Sequence, residues 1–234
     1  MALVKSELFR VLHNPEAEAV LMKLYKEALK QGPRLMLHFL PKAYGLLTGK
    51  GMDWKSEKLS FYDDKYIPIH PDQGAFIYMQ ARATGAKNIF EFGTSYGIST
   101  IYLANAAKEN GGRVITTEYL PHKVKAARQN LSDAGLADFV EILEGDARET
   151  LKTVNVNFDL VLLDGFPDMV FEIFRLIEPR LNIGAVIIVD DVDGFKQAMQ
   201  DYLDYVRNPV NGYVSAALHL KKGLELSIKK ISKT

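Results

Sequence analysis

The 234 residues contain no cysteine. Disulfides, thiolate zinc sites, iron–sulfur clusters and thiol nucleophiles are therefore excluded together, and any chemistry must use oxygen, nitrogen or a bound cofactor. An excess of one charge is missing as well: Lys plus Arg and Asp plus Glu each number 29, for a formal net charge of zero. Without a basic excess there is no electrostatic footprint for a nucleic-acid partner. Long apolar runs are also lacking. The first residues, MALVKSELFR, carry Lys5, Glu7 and Arg10, which suits neither a signal-peptide core nor a membrane span. The stretch RLMLHFLPKAYGLL, residues 34–47, is interrupted by Pro41 and Gly45 and is too short to span a bilayer. It reads as a helix packed on the main domain or on a partner subunit, and the cytoplasm is the expected location.

What is present divides into two parts. Residues 1–64 place apolar side chains at helical spacing, such as Leu21, Leu24, Tyr25, Ala28 and Leu29. Breaks are expected at Gly32-Pro33, Pro41 and Gly49-Lys50-Gly51, giving a helical N-terminal cap. Within residues 65–234, from about residue 85 onward, short β-rich runs alternate with helical ones, the signature of βαβ units. Strands are predicted at 88–92, 113–117, 139–143, 158–163 and 185–189. Helices are predicted at 98–108, 121–134, 147–154, 168–181 and 194–208. The final runs YVSAALHL and LELSIKKI, joined through Lys221-Lys222-Gly223, read as an antiparallel hairpin. The expected fold is α/β: a seven-stranded doubly wound sheet, mostly parallel, behind the cap.

In such a sheet, ligands bind beyond the carboxyl ends of the strands, where the strand order reverses. The first strand runs into NIFEFGTSYGIST, residues 88–100. This loop has no lysine for a phosphate-binding motif and only Gly93 and Gly97 where a dinucleotide fingerprint needs three glycines. Glu91 would repel pyrophosphate but suits a ligand bearing an ammonium group. Gly93 allows close backbone approach, and Ser95 and Ser99 can donate to a carboxylate near the helix N-terminus. The second strand ends at Glu118, where one acidic group can grip a ribose diol. The third ends in LEGDARE, with Asp146 or the Ala147 amide placed to face an adenine edge. A nucleoside with an amino-acid tail fits all three loops, and S-adenosylmethionine is such a molecule. Purely structural roles are open to the same residues: strand-to-helix packing for Gly93 and Gly97, and a helix cap for Asp146.

The ordered motifs GAKNIFEFGTSYGISTIYLA, GGRVITTEY, EGDA, FDLVLLDG, GAVIIVDDV and GLELSIKK resemble the class I S-adenosylmethionine-dependent O-methyltransferases of the catechol and caffeoyl-CoA type, with their Rossmann-like fold. The resemblance covers about residues 65–232. It implies cofactor contacts at Glu91, Gly93, Thr94, Ser95, Ser99, Glu118, Tyr119, Asp146, Ala147 and Asp164. It also implies that IPIHPDQGAF, residues 67–76, lies over the methionine end of the cofactor, and that the protein is a homodimer acting on a small-molecule hydroxyl.

On the acceptor side, the fourth strand ends in Asp164 and the fifth in Asp190-Asp191. Three converging carboxylates are hard oxygen ligands compatible with Mg²⁺ or Ca²⁺. The family holds a metal with an Asp, a second Asp and an Asn; here the third position is Asp191. The larger departure is Pro167, where the catalytic subgroup carries a lysine that helps deprotonate the acceptor. A metal acting alone, His70 or Asp191 could fill that role, Asp164 lies beside the reacting groups, and a metal-free relative is the other reading. Asp193 is the expected cap of the following helix, His219 is read as structural, and Trp54, Phe61 and Tyr62 as packing aromatics. Open rivals are metal-independent N- or carboxyl-methylation, a non-catalytic nucleoside-binding module, and an NAD-linked enzyme.

Overall fold

The computed structural model describes residues 10–40 and 58–230. Trp54, Pro41 and the turn expected at residues 49–51 lie outside the described residues. Asn14 caps the first helix by accepting from the Ala17 amide, and Pro15 occupies its first turn, where no backbone donor is lost. The helix, α1 (Pro15–Phe39), runs unbroken through Gly32 and Pro33, so the expected break does not occur. Its buried Val20, Leu21, Leu24 and Tyr25 hold it to the core of the sheet, and tertiary packing overrides the local penalty of an internal proline. Two further ties fix it: Asn14 Nδ2 donates to Asn105 Oδ1 (2.9 Å), and Tyr25 Oη donates to the Ile69 carbonyl (2.9 Å).

The sheet comprises β1 (Asn88–Phe92), β2 (Arg113–Glu118), β3 (Val140–Glu144), β4 (Phe158–Leu163), β5 (Leu181–Val189), β6 (Tyr213–Leu218) and β7 (Leu224–Lys229). Their order is β3-β2-β1-β4-β5-β7-β6, with β7 antiparallel to both of its neighbours and the rest parallel. The expected seven-stranded sheet and its terminal hairpin are observed. Strands β1 and β4 are buried on both sides, which is why they read as nearly continuous apolar runs.

One face is covered by α1, α2 (Pro71–Ala83), α3 (Ile98–Asn110) and α4 (Pro121–Asp133). The other is covered by α5 (Ala147–Thr150), α6 (Val170–Ile177), α7 (Val192–Phe195) and α8 (Gln200–Arg207). Three predicted helices are shorter or split: 147–154 and 168–181 end in single 3₁₀ turns, and 194–208 divides into α7 and α8. The helix α2 has no counterpart among the predicted elements. Its signal is a capping box in which His70 accepts from the backbone, Gln73 reaches back to the His70 amide (2.9 Å), and Pro71 opens the first turn.

The strand order reverses between β1 and β4, and the loops leaving these two strands start in close contact there. Gly93 makes this possible. Its φ is +104°, and a Cβ at that position would lie 2.5 Å from the Asp164 carbonyl oxygen. Only glycine lets the two loops approach so closely.

Candidate active site

A cleft of about 1130 Å³ opens over the carboxyl ends of the strands. Its floor is Gly93 and Ser95 after β1, Glu118 to Leu120 after β2, Gly145 to Arg148 after β3, Asp164 to Pro167 after β4, and Asp190 and Asp191 after β5. Tyr62, Tyr66 and Phe166 form aromatic walls, and Lys222 reaches in from the β6–β7 turn. Concave apolar walls with a few converging polar groups are the usual form of a small-molecule site.

Glu118 stands at the junction of two loops. Its Oε2 accepts from the Ser95 amide (2.8 Å) and its Oε1 from the Leu120 amide (2.9 Å). Ser95 is held at φ +48°, a left-handed conformation unusual for a residue with a side chain, so the Glu118 carboxylate pins a strained turn. Each carboxylate oxygen keeps a further lone pair for a ligand hydroxyl. Beside it, Tyr119 is 65% exposed and lines the cleft, an aromatic side chain of the kind on which a base can stack. Asp146 caps α5 through the Arg148 amide (2.9 Å) and also pairs with the Arg148 guanidinium, which holds its carboxyl below the usual range. Asp146 and Ala147 both line the cleft. Gly93, Thr94, Ser95, Ser99 and Asp164 surround a smaller recess beneath Tyr66 to Ile69, part of the segment expected over the methionine end of the cofactor.

Two expected site residues stand elsewhere. Glu91 does not line the cleft. Side chains alternate along β1, so Phe90 and Phe92 face one side while Ile89 and Glu91 face α3. There Glu91 is fully buried, and its Oε2 accepts from Thr100 Oγ1 (2.5 Å) and Thr116 Oγ1 (2.6 Å). Burial, opposed by these hydroxyls, raises its pKa. His70 likewise lies outside the cleft lining, with Nδ1 engaged by the Asp72 amide (3.2 Å) as the cap of α2. Burial and the nearby Lys221 hold it below the ordinary histidine value.

Asp164, Asp190 and Asp191 do converge. Burial and mutual repulsion raise the first two well above the carboxylate range, Asp190 to about 7. Their oxygens are partly committed: Gln73 Nε2 donates to Asp190 Oδ1 (2.6 Å), and Lys222 Nζ lies 3.2 Å from Asp191 Oδ2. Asp191 adopts φ +57°, and its Oδ1 is buried without a partner. An amide NH₂ and an ammonium on two of the three carboxylates do not suit a divalent ion, since both present positive hydrogens where a ligand set must present lone pairs. Among the described residues no group of three His, Asp or Glu side chains is arranged to hold a metal. The donor set therefore does not fit the Mg²⁺ or Ca²⁺ expected from the sequence.

Sequence reasoning missed Lys222, Gln73 and Lys123. The Lys222 side chain enters from a hairpin turn that looked purely connective. Gln73 belongs to the unpredicted α2. Lys123 lines the cleft, donates to the Tyr62 carbonyl (3.1 Å) and sits 5.6 Å from the Tyr96 ring centroid. A basic residue one turn into α4 carried no distinguishing signal.

Residues 90–192 match a family described as a methyltransferase domain. Catechol O-methyltransferase of Mycobacterium tuberculosis is 40% identical over 127 residues, covering 54% of this chain and 57% of that protein. The chain spans only a little over half the length of the curated relatives it matches. Among solved structures, cofactor-bound Rv0187 from MTB superposes with a TM-score of 0.68 at 28% identity, over 82% of this chain and 91% of that one. The O-methyltransferase from Bacillus cereus in complex with SAH gives 0.63 at 27% identity, over 70% and 83%. Sequence motifs and strand order agree with these likenesses: over residues 90–192 the chain is similar to a methyltransferase domain, and its fold is that of solved O-methyltransferases.

Proposed function

We propose that the protein transfers the methyl group of S-adenosylmethionine to a hydroxyl of a small, aromatic acceptor. The observation that carries this reading is the double use of the switch-point cleft. One half, from Gly93 through Glu118 and Tyr119 to Ala147, offers a close-approach backbone, a diol-gripping carboxylate and a stacking ring, as a nucleoside requires. The other half, between Asp164, Phe166, Asp191 and Lys222, joins aromatic walls to charged groups and leaves room for a second, flat ligand. The 1130 Å³ volume exceeds the roughly 300–1,000 Å³ of a single-ligand site.

In this reading Glu118 orients the ribose, the recess at Gly93, Thr94, Ser95 and Ser99 receives the methionine end, and Tyr119, Asp146 and Ala147 receive the adenine. Catalysis then comes chiefly from alignment, the acceptor oxygen being held in line with the sulfonium carbon. The acceptor-side roles expected for Asp164 and Asp191 are kept as substrate-facing groups. The finer expectation of a divalent ion finds no fitting ligand set, so no step is assigned to one.

Residues 65–234 form the transferase domain in this reading, with residues 1–64 shaping the acceptor side. A cytoplasmic homodimer without a nucleic-acid partner completes it. Net neutrality supports the last point, and among the described residues no helix is long and apolar enough to cross a membrane. The test is incubation with methyl-labelled S-adenosylmethionine and a panel led by catechol. We expect a singly methylated ether by mass spectrometry. Absence of transfer to any hydroxyl in the panel, by protein that binds S-adenosylhomocysteine, would contradict the catalytic reading and favour a nucleoside-binding module.

A further inference from the structure

We propose that Lys222 is the built-in cation of the acceptor side, its ammonium standing at the Asp164–Asp190–Asp191 rim in place of a divalent ion and there holding the ionised acceptor oxygen. The inference rests on the methyl-transfer reading and deepens it.

Three observations converge on this residue. The first is position: Lys222 lines the same cleft as Asp164, Asp190 and Asp191, and its Nζ is 3.2 Å from Asp191 Oδ2. The second is anchoring. The backbone around Lys222 is clasped to the loop after β5, because the Val192 amide donates to the Gly223 carbonyl (3.2 Å) and the Asp193 amide to the Lys222 carbonyl (3.0 Å). Gly223 is at φ +84°, and a Cβ there would lie 2.5 Å from the Asp193 carboxylate, so the turn is seated as closely as glycine permits. The preceding Lys221, itself at φ +59°, ties the turn from the other side through Asp72 (3.0 Å). The third is accessibility: the Lys222 side chain is 58% exposed, so the ammonium keeps donor hydrogens free for a ligand after meeting Asp191.

Position and anchoring together place an ammonium at the rim, 3.2 Å from Asp191 Oδ2. In the reaction the acceptor hydroxyl loses its proton to solvent and binds as an oxyanion against Lys222. A lone pair of that oxygen forms the new O–CH₃ bond while the S–CH₃ bond breaks, its electron pair passing to sulfur. Oxyanion and sulfonium become a neutral ether and S-adenosylhomocysteine. The charge that Lys222 supplies is the kind a metal supplies, delivered from the hairpin and not from the Pro167 position.

Two measurements test this, the first independent of activity. In a Mn²⁺ titration followed by paramagnetic resonance, the unaltered protein is expected to show no saturable site at micromolar metal. Lys222→Glu, which exchanges the ammonium for a fourth carboxylate, is expected to gain one. Micromolar Mn²⁺ binding by the unaltered protein at the aspartate cluster would overturn the proposal, as would no gain in a folded Lys222→Glu protein. In the second, once an acceptor is turned over, a chelator should leave the rate unchanged. Lys222→Gln should lower kcat/KM by about tenfold to a hundredfold, the loss of one charge-assisted hydrogen bond, with S-adenosylhomocysteine affinity and melting temperature retained. Lys222→Arg should recover most of that loss. Unchanged kcat/KM in Lys222→Gln, or abolition of activity by the chelator, would refute it. If no acceptor is methylated at all, the methyl-transfer reading fails while the Mn²⁺ result still decides the role of the cation.

Discussion

Glu118 holds two loop amides and, in the proposed function, the ribose as well, so a substitution must separate the two. Its two oxygens hold the Ser95 and Leu120 amides, so Glu118→Ala removes the acceptors of a strained turn along with any ligand contact. Glu118→Gln is the cleaner probe, because it keeps an acceptor oxygen and removes the charge. We expect it to weaken S-adenosylhomocysteine by about 1.5–3 kcal/mol, about tenfold to a hundredfold in Kd by calorimetry. Unaltered affinity would remove Glu118 from the cofactor site. Its position on the rim of the cleft was legible in the sequence because it ends a strand beside the switch point. The role of Glu91 was not, because the sequence shows the alternation of β1 without showing which face meets α3. The buried Glu91 gives a pH prediction instead. A carboxyl whose folded pKa is raised binds its proton more tightly in the folded state, so its contribution to stability is lost as pH rises above the unfolded value of about 4.3. Glu91→Gln should flatten that decline in thermal melts taken across acidic to neutral pH. An unchanged pH slope would show that Glu91 does not carry it.

Elements depend on contacts that cross between them, and the clearest case is the clamp between α8 and β7. The Arg207 guanidinium donates to both Glu225 oxygens, Nε to Oε1 (2.8 Å) and Nη2 to Oε2 (2.7 Å), and Ser215 Oγ donates to Oε1 (2.6 Å). Glu225 is fully buried. Arg207→Ala leaves that carboxylate without its ion-pair partner and should destabilise the protein by about 3–5 kcal/mol in denaturant unfolding. A loss below about 1 kcal/mol would mean that water replaces the guanidinium. This clamp seats the hairpin whose turn carries Lys222. Element-level legibility divided along the same line. Strands β1, β2 and β4 were found nearly to the residue because parallel strands in the sheet centre carry strong apolar runs, whereas β5 begins at Leu181, four residues before its predicted start, in a stretch read as the end of a helix. The continuity of α1 through Pro33 was missed because burial of Leu21, Leu24 and Tyr25 lies beyond any local rule. The helix α2 was missed because its capping box uses His70, an unusual cap, and its exposed Met79 blurs the apolar stripe.

At the scale of the whole molecule, the order β3-β2-β1-β4-β5-β7-β6 places every candidate ligand-binding loop on one rim, with the β6–β7 turn returning to the same side. Motif order along the chain was enough to anticipate this, since right-handed βαβ crossovers leave few arrangements for such a series. The departure at Pro167 and the aspartate cluster were legible too. The cation facing that cluster was not, because Lys222 is 31 residues from Asp191 in sequence and meets it only through the antiparallel closure of the sheet. The central claim is that the Gly93–Glu118–Ala147 half of the cleft is built for a sulfonium nucleoside. Calorimetric titration of the pure protein with S-adenosylhomocysteine, and separately with NAD, tests it most directly. Saturable one-site binding of S-adenosylhomocysteine and none of NAD is expected; binding of NAD alone would rule out the sulfonium-nucleoside assignment.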